Sequence, residues 1–193
     1  TLPLYKTAFN SNNFFLRQAI ALSLQTIPKE LQTEYESLLQ DDSYVTMESA
    51  LYQLWMQFPE KRAAYLNKTK GIEGFQNKNI RQLWLALALL TEGYDNQEKE
   101  NYISELKHYT SPDYSFEIRE KAFEYVNELQ LWDTEMLKNL VEATVHPTWR
   151  FAKPSKALLN NLLQNEKYHE QVKVLGRQVS EGAANYLNSI IKE

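Results

Sequence analysis

The sequence predicts an all-helical fold built from stacked helix pairs. Three observations carry that expectation. Apolar residues recur at intervals of three and four almost throughout, and alternation of period two is nearly absent. Glycine and proline are scarce, five and six in 193 residues, which long helices tolerate and a turn-rich β fold does not. A weak repeat of two helices per unit runs along the chain.

Two segments read as helices buried on several sides. In residues 14–24, Phe14, Phe15, Leu16, Ile20, Leu22 and Leu24 cover most of a cylinder. Residues 80–90 do the same with Ile80, Leu83, Trp84 and Leu87. Other segments are amphipathic. Residues 28–40 place Leu31, Tyr35, Leu38 and Leu39 on one side. Residues 97–109 use Tyr102, Ile103, Leu106 and Tyr109, and residues 133–145 use Met136, Leu137, Leu140, Val141 and Thr144. Start signals accompany them. Asp95 and Glu98 have capping-box spacing, Asp133 is a candidate N-cap, and Trp132 with Leu137 has the spacing of a hydrophobic staple. Ser180 suits the cap of the last helix, Pro59 a first turn, and Gly71, Gly74, Gly93 and Pro112 the connections.

The repeat is legible in Leu16-Arg17-x-x-Ile20, Met47-Glu48-x-x-Leu51, Ile80-Arg81-x-x-Trp84 and Ile118-Arg119-x-x-Ala122. Its polar member falls at 17, 48, 81 and 119, at intervals of 31, 33 and 38 residues, and a less faithful copy runs over 150–163. Such periods predict an α-solenoid, a right-handed α-α superhelix of HEAT-like type with about five helix pairs. One unit cannot bury its apolar face alone, so stacking supplies the partner. No polar linker divides the chain, and residues 1–193 read as a single helical-repeat domain. The opening Thr1-Leu2-Pro3-Leu4 lacks methionine and any signal-like pattern, so the expectation is the C-terminal fragment of a larger polypeptide.

Composition narrows the function. Hydrophobic residues are 43 % and aromatics 12 %, too apolar for a disordered chain. With no cysteine there is no disulfide and no thiolate metal site. A net charge of −4 without a basic stripe argues against nucleic acid as a partner. The longest apolar stretch, residues 83–90, is too short to span a membrane. His108, His146 and His169 have no second histidine at i+3 or i+4, so no metal ligands are expected in this chain. No nucleophile elbow and no phosphate loop occurs, and Gly71-Ile72-Glu73-Gly74 reads as an inter-helix loop. The acidic pairs Asp41-Asp42 and Glu98 with Glu100 lie in polar surroundings, which favours a solvated surface over a general acid. No catalytic residue is assigned.

Twelve Tyr, eight Phe and four Trp are the unusual feature. Large rings at helical spacing fill gaps between stacked pairs, and some are candidates to line a groove. Arg17, Arg81 and Arg119, with Trp84 and Trp149, are the candidate groove or inter-repeat residues. The arginines either line one face of the stack or pair with carboxylates and carbonyls of the neighbouring repeat, and pairing is favoured because charge near a core must be compensated.

Three stretches carry a family resemblance. They are Gly71-Ile72-Glu73-Gly74-Phe75-Gln76-Asn77-Lys78-Asn79-Ile80-Arg81-Gln82-Leu83-Trp84-Leu85, Tyr109-Thr110-Ser111-Pro112-Asp113-Tyr114-Ser115-Phe116-Glu117-Ile118-Arg119, and His146-Pro147-Thr148-Trp149-Arg150-Phe151. Their order and spacing resemble the C-terminal helical region of bacterial zinc aminopeptidases of the gluzincin, aminopeptidase N-like family. The resemblance implies a non-catalytic domain that walls the active-site chamber and limits peptide access. Its partners would be the parent's own catalytic domain and peptide substrates. Zinc, the His-Glu-x-x-His helix and a further Glu ligand would belong to that upstream domain, and no zinc ligand is carried onto this sequence. Two rival expectations stand beside it: a HEAT-like protein–protein interaction scaffold unrelated to peptidases, and, disfavoured by charge, a DNA-processing protein.

Overall fold

The computed structural model describes residues 2–76 and 78–191. Among these the chain is all-α, with twelve α-helices, short 3-10 turns and no strand. It divides into two compact units, Thr1–Tyr102 and Ile103–Glu193.

The first unit holds α1 (Leu2–Phe9), α2 (Phe14–Ser23), α3 (Gln32–Ser37), α4 (Tyr44–Gln57), α5 (Arg62–Thr69) and α6 (Asn79–Leu90). The division falls within α7 (Lys99–Tyr109). The expected run over 28–40 is helical, with α3 flanked by the 3-10 turns Lys29–Leu31 and Leu38–Gln40. Helix α4 is the hub. It touches α2, α5 and α6 and buries Met47, Ala50, Leu51, Leu54 and Trp55. Helix α6 buries Ile80, Gln82, Leu83, Trp84, Leu85, Ala86, Leu87 and Ala88, as expected of a helix apolar all round. Its approach uses Gly74 at φ +74°, where a Cβ would stand 2.9 Å from Ile80 Cγ2, so any other residue is both strained and crowded.

Polar side chains close the ends of these helices. A helix leaves its last four carbonyls without intrahelical donors. The Ala21 carbonyl of α2 is one of them, and it accepts from Tyr35 Oη at 2.7 Å and Ser49 Oγ at 3.0 Å. Trp55 Nε1 donates to Thr91 Oγ1 at 2.8 Å, and that hydroxyl donates to the Leu87 carbonyl at 2.7 Å. The Arg62 guanidinium lies 3.8 Å over the Trp55 ring and donates from Nε to the Trp55 carbonyl.

Two expectations are corrected here. Helix α2 buries only Ile20 and Ala21, while Phe14, Phe15, Leu16 and Leu22 are exposed. Its apolar circumference predicted burial, but only the sides facing α1 and α4 are covered within this unit. Asp95 does not cap a helix either. Its backbone is left-handed at φ +44°, and its carboxylate accepts from Lys70 Nζ and Tyr102 Oη, both at 2.6 Å. Stronger side-chain donors have taken the carboxylate away from the backbone.

Glu36 carries a pH dependence. Burial raises its pKa, but hydrogen bonds from Lys61 and Tyr65 and the charges of Lys61 and Lys68 outweigh burial, so it titrates below the usual 4.5. Its Oε1 accepts from Lys61 Nζ at 3.0 Å, Tyr65 Oη at 2.9 Å and Gln32 Nε2 at 3.1 Å. A depressed folded value adds stability that is present above the unfolded value and lost as pH falls through the folded one. Urea midpoints measured at successive pH values should therefore decline below about pH 4.5. The Glu36→Gln chain should start lower at neutral pH and decline less.

The second unit holds α8 (Phe116–Glu128), α9 (Thr134–Ala143), α10 (Trp149–Leu162), α11 (Glu166–Lys173) and α12 (Glu181–Ile190). Helix α9 touches α10, α11 and α12, with Met136, Leu137, Leu140 and Val141 buried. The Phe123 ring is 6.1 Å from both Trp132 and Phe151, centroid to centroid, and near parallel to each. Helix α8 ends in a Schellman pair. Gln130, at φ +55°, donates to the Asn127 carbonyl, and Leu131 donates to the Val126 carbonyl. Asp133 then caps α9, accepting from Met136 N–H at 2.8 Å, as its position predicted. Ser180 stands at the N-cap position of α12 but makes no capping bond. Its N–H and Oγ–H both go to the Glu142 carboxylate, at 2.6 and 2.7 Å. Helix α10 contains Pro154, which has no N–H for the Arg150 carbonyl one turn earlier.

Candidate binding groove

The candidate groove follows from the polar face of α9. Glu135, Lys138, Asn139 and Glu142 are spaced i, i+3, i+4 and i+7, so they share one side of the helix, opposite Met136, Leu137, Leu140 and Val141. That side forms one wall of a cavity of about 680 Å³. Pro112, Arg119 of α8, Val145, His146 and Pro147 form the rest.

Arg119 is the buried member, 5 % exposed. Its Nε donates to the Thr110 carbonyl at 3.1 Å, and one Nη donates to the Asn139 carbonyl at 3.3 Å. Asn139 Nδ2 also donates to Thr110 Oγ1 at 3.0 Å, so the 110 loop, α8 and α9 are tied together at one point. The Phe151 ring lies 5.0 Å from the guanidinium carbon. Burial lowers the Arg119 pKa and the Glu142 charge raises it again, yet a guanidinium stays charged throughout the physiological range. Among the described residues Arg119 makes no ion pair; it is held by two carbonyls and the Phe151 ring.

The two carboxylates of the groove are already engaged. Glu142 is held by Ser180, and Glu135 accepts Lys107 Nζ at 2.7 Å. His146 Nδ1 accepts from Thr148 N–H at 3.1 Å, so the neutral ring carries its proton on Nε2. The ring packs edge-on to Phe151 at 5.2 Å. The arrangement offers convergent N–H donors to a ligand acceptor rather than an activated nucleophile.

The five residues singled out from sequence fall in different places. Arg17 lies in α2, where its Nε pairs with Asp41 Oδ2 and its Nη1 donates to the Ser11 carbonyl at 2.7 Å. The Asp41 side chain is 2 % exposed, so this pair is a tie between α2 and the start of the next segment. Arg81 and Trp84 come together on α6, with the guanidinium 4.9 Å over the ring. Trp84 is fully buried and donates from Nε1 to the Leu66 carbonyl at 2.9 Å, which places it in the core rather than on a groove. Trp149 is 67 % exposed at the start of α10, with Arg150 beside it. Only Arg119 of the five lines the cavity.

Lys138, Asn139, Glu142 and His146 were not singled out from sequence. The polar i, i+3, i+4, i+7 set on α9 was the available signal, and reading the helix by its apolar face alone passes over it. The three histidines are separate: His108 lies against Tyr114, His146 against Phe151, and His169 beside Glu170. Among the described residues no three His, Asp or Glu side chains gather as a metal-holding group. No described helix is long and apolar enough to cross a membrane. Comparison with protein-family models, with curated proteins and with solved structures finds no match in any of the three.

Proposed function

We propose that this chain is the helical C-terminal domain of a zinc metallo-aminopeptidase, a hydrolase whose active-site chamber it walls against all but suitable peptides. In this reading α2, α4, α6, α8 and α10 are the inner members of about five helix pairs in a right-handed HEAT-like superhelix. Zinc and its ligands sit on the catalytic domain of the same polypeptide, and peptides pass between the two. What supports the reading is where the three family-like stretches fall. Each is an inter-helix connection followed by the first turns of α6, α8 or α10, the alternate helices of the series. Asn77, inside the first stretch, lies outside the described residues. Their shared texture therefore falls on the joints that set how one pair follows the next. The isolated chain, supplied with zinc and aminoacyl-nitroanilides, should give no turnover above background. The reading frame that encodes it should carry His-Glu-x-x-His and a further Glu upstream, and a frame without them removes the aminopeptidase link.

A scaffold for another protein is the second reading, favoured by the apolar side chains left exposed on α1, α2 and α4. Leu4 is 74 %, Phe15 68 %, Leu22 58 % and Val45 47 % exposed, on helices that touch one another. A stoichiometric partner unrelated to peptidases, lost on Phe15→Glu, would favour it.

A further inference from the structure

The α9 groove has donors in excess of what the protein itself uses. A guanidinium has five N–H groups, and Arg119 gives two to the protein. Lys138, half-buried on the same wall, makes no ion pair or hydrogen bond among the described residues. His146 keeps Nδ1 on Thr148, which leaves Nε2–H as a third donor. A buried cation is normally compensated by a carboxylate or by a ligand. Here Glu142 acts on Arg119 through its charge alone, because its oxygens are bonded to Ser180, and Glu135 is paired with Lys107.

We propose that this groove binds a small organic monoanion through a carboxylate, held by Arg119, Lys138 and His146 Nε2–H. The planar guanidinium fork matches a carboxylate's two oxygens. Pro112, Val145 and Pro147 supply apolar wall for the ligand body, and about 680 Å³ accommodates one. A single charge is favoured over a dianion because the carboxyl groups of Glu135 and Glu142 line the same cavity. The proposal is independent of the peptidase reading: it concerns residues within the second unit only.

The test is a titration of the whole chain, followed by amide chemical shifts, at low ionic strength. Benzoate is the probe, benzamide its neutral counterpart, and inorganic phosphate the dianionic control. Benzoate should bind with a dissociation constant of order millimolar, with shifts confined to 110–119 and 135–148. Benzamide and phosphate should each bind at least about fivefold more weakly. Lys138→Ala, at a half-exposed position, should weaken benzoate about threefold or more while leaving the thermal midpoint unchanged. Arg119→Lys, which keeps the charge and loses the fork, should weaken it further. Equal binding of benzoate and benzamide, tighter binding of phosphate, or benzoate binding untouched by Lys138→Ala would each overturn the proposal.

Discussion

Replacing Trp84 with alanine is expected to cost the first unit about 4 kcal/mol, enough to remove much of a typical domain's stability. The side chain is fully buried, so the substitution loses its transfer free energy and leaves a large cavity in α6. Edge-to-face contacts with Tyr102 at 5.1 Å and Tyr94 at 6.3 Å go with it, each worth about 1 kcal/mol beyond area. The Leu66 carbonyl then loses its Nε1–H donor and keeps only a long 3.4 Å contact from Thr69 Oγ1, and an under-satisfied buried acceptor adds about 1–3 kcal/mol. Trp84→Phe separates these contributions, because it restores most of the volume but not the N–H. It should cost about half as much as alanine. Trp149→Ala is the control: with the ring 67 % exposed, the change should stay within about 0.5 kcal/mol. Urea unfolding followed by circular dichroism measures all three. A loss below about 1 kcal/mol for Trp84→Ala would contradict the burial assigned to it.

Arg119→Met is expected to destabilise the second unit by about 2–4 kcal/mol, although methionine fits the apolar surroundings. The reason is what remains behind. Two carbonyls, Thr110 and Asn139, lose the donors that tie the 110 loop to α8 and α9. A buried ion pair can be replaced by hydrophobic residues almost neutrally because both charges leave together. Here only the donor leaves. Arg119→Lys keeps one donor and the charge and should cost less, about 1–2 kcal/mol. Slow hydrogen exchange at the 110 loop should be lost in Arg119→Met before it is lost in α9. If the methionine variant matches the native stability, the two carbonyl bonds do not hold the unit together.

The helices were legible in the sequence because burial writes a period of 3.6 directly into the residue order. The predicted segments over 80–90, 133–145 and 150–163 match α6, α9 and α10 closely. Asp133 was legible as a cap because its two oxygens divide the work: Oδ1 accepts from Met136 N–H, while Lys107 pairs with Oδ2 and leaves the cap in place. Asp95 and Ser180 were not, since Lys70 and Glu142 reach them from distant parts of the chain and Tyr102 reaches Asp95 from seven residues on. Local spacing contains no record of such competitors. The exposed face of α2 failed for a related reason: apolar circumference says what a helix can bury, not what stands beside it. The groove was half legible. Arg119 stood out by its repeat position, whereas Lys138 and His146 gain meaning only when the 146 loop and α9 share a cavity.

The central functional claim can be tested on the intact polypeptide that contains residues 1–193. Its hydrolysis of an aminoacyl-nitroanilide and of a long peptide should be measured with zinc bound and after chelation. Zinc-dependent release of N-terminal residues is expected, faster on the short substrate than on the long one. An intact polypeptide with no zinc-dependent aminopeptidase activity would contradict the claim.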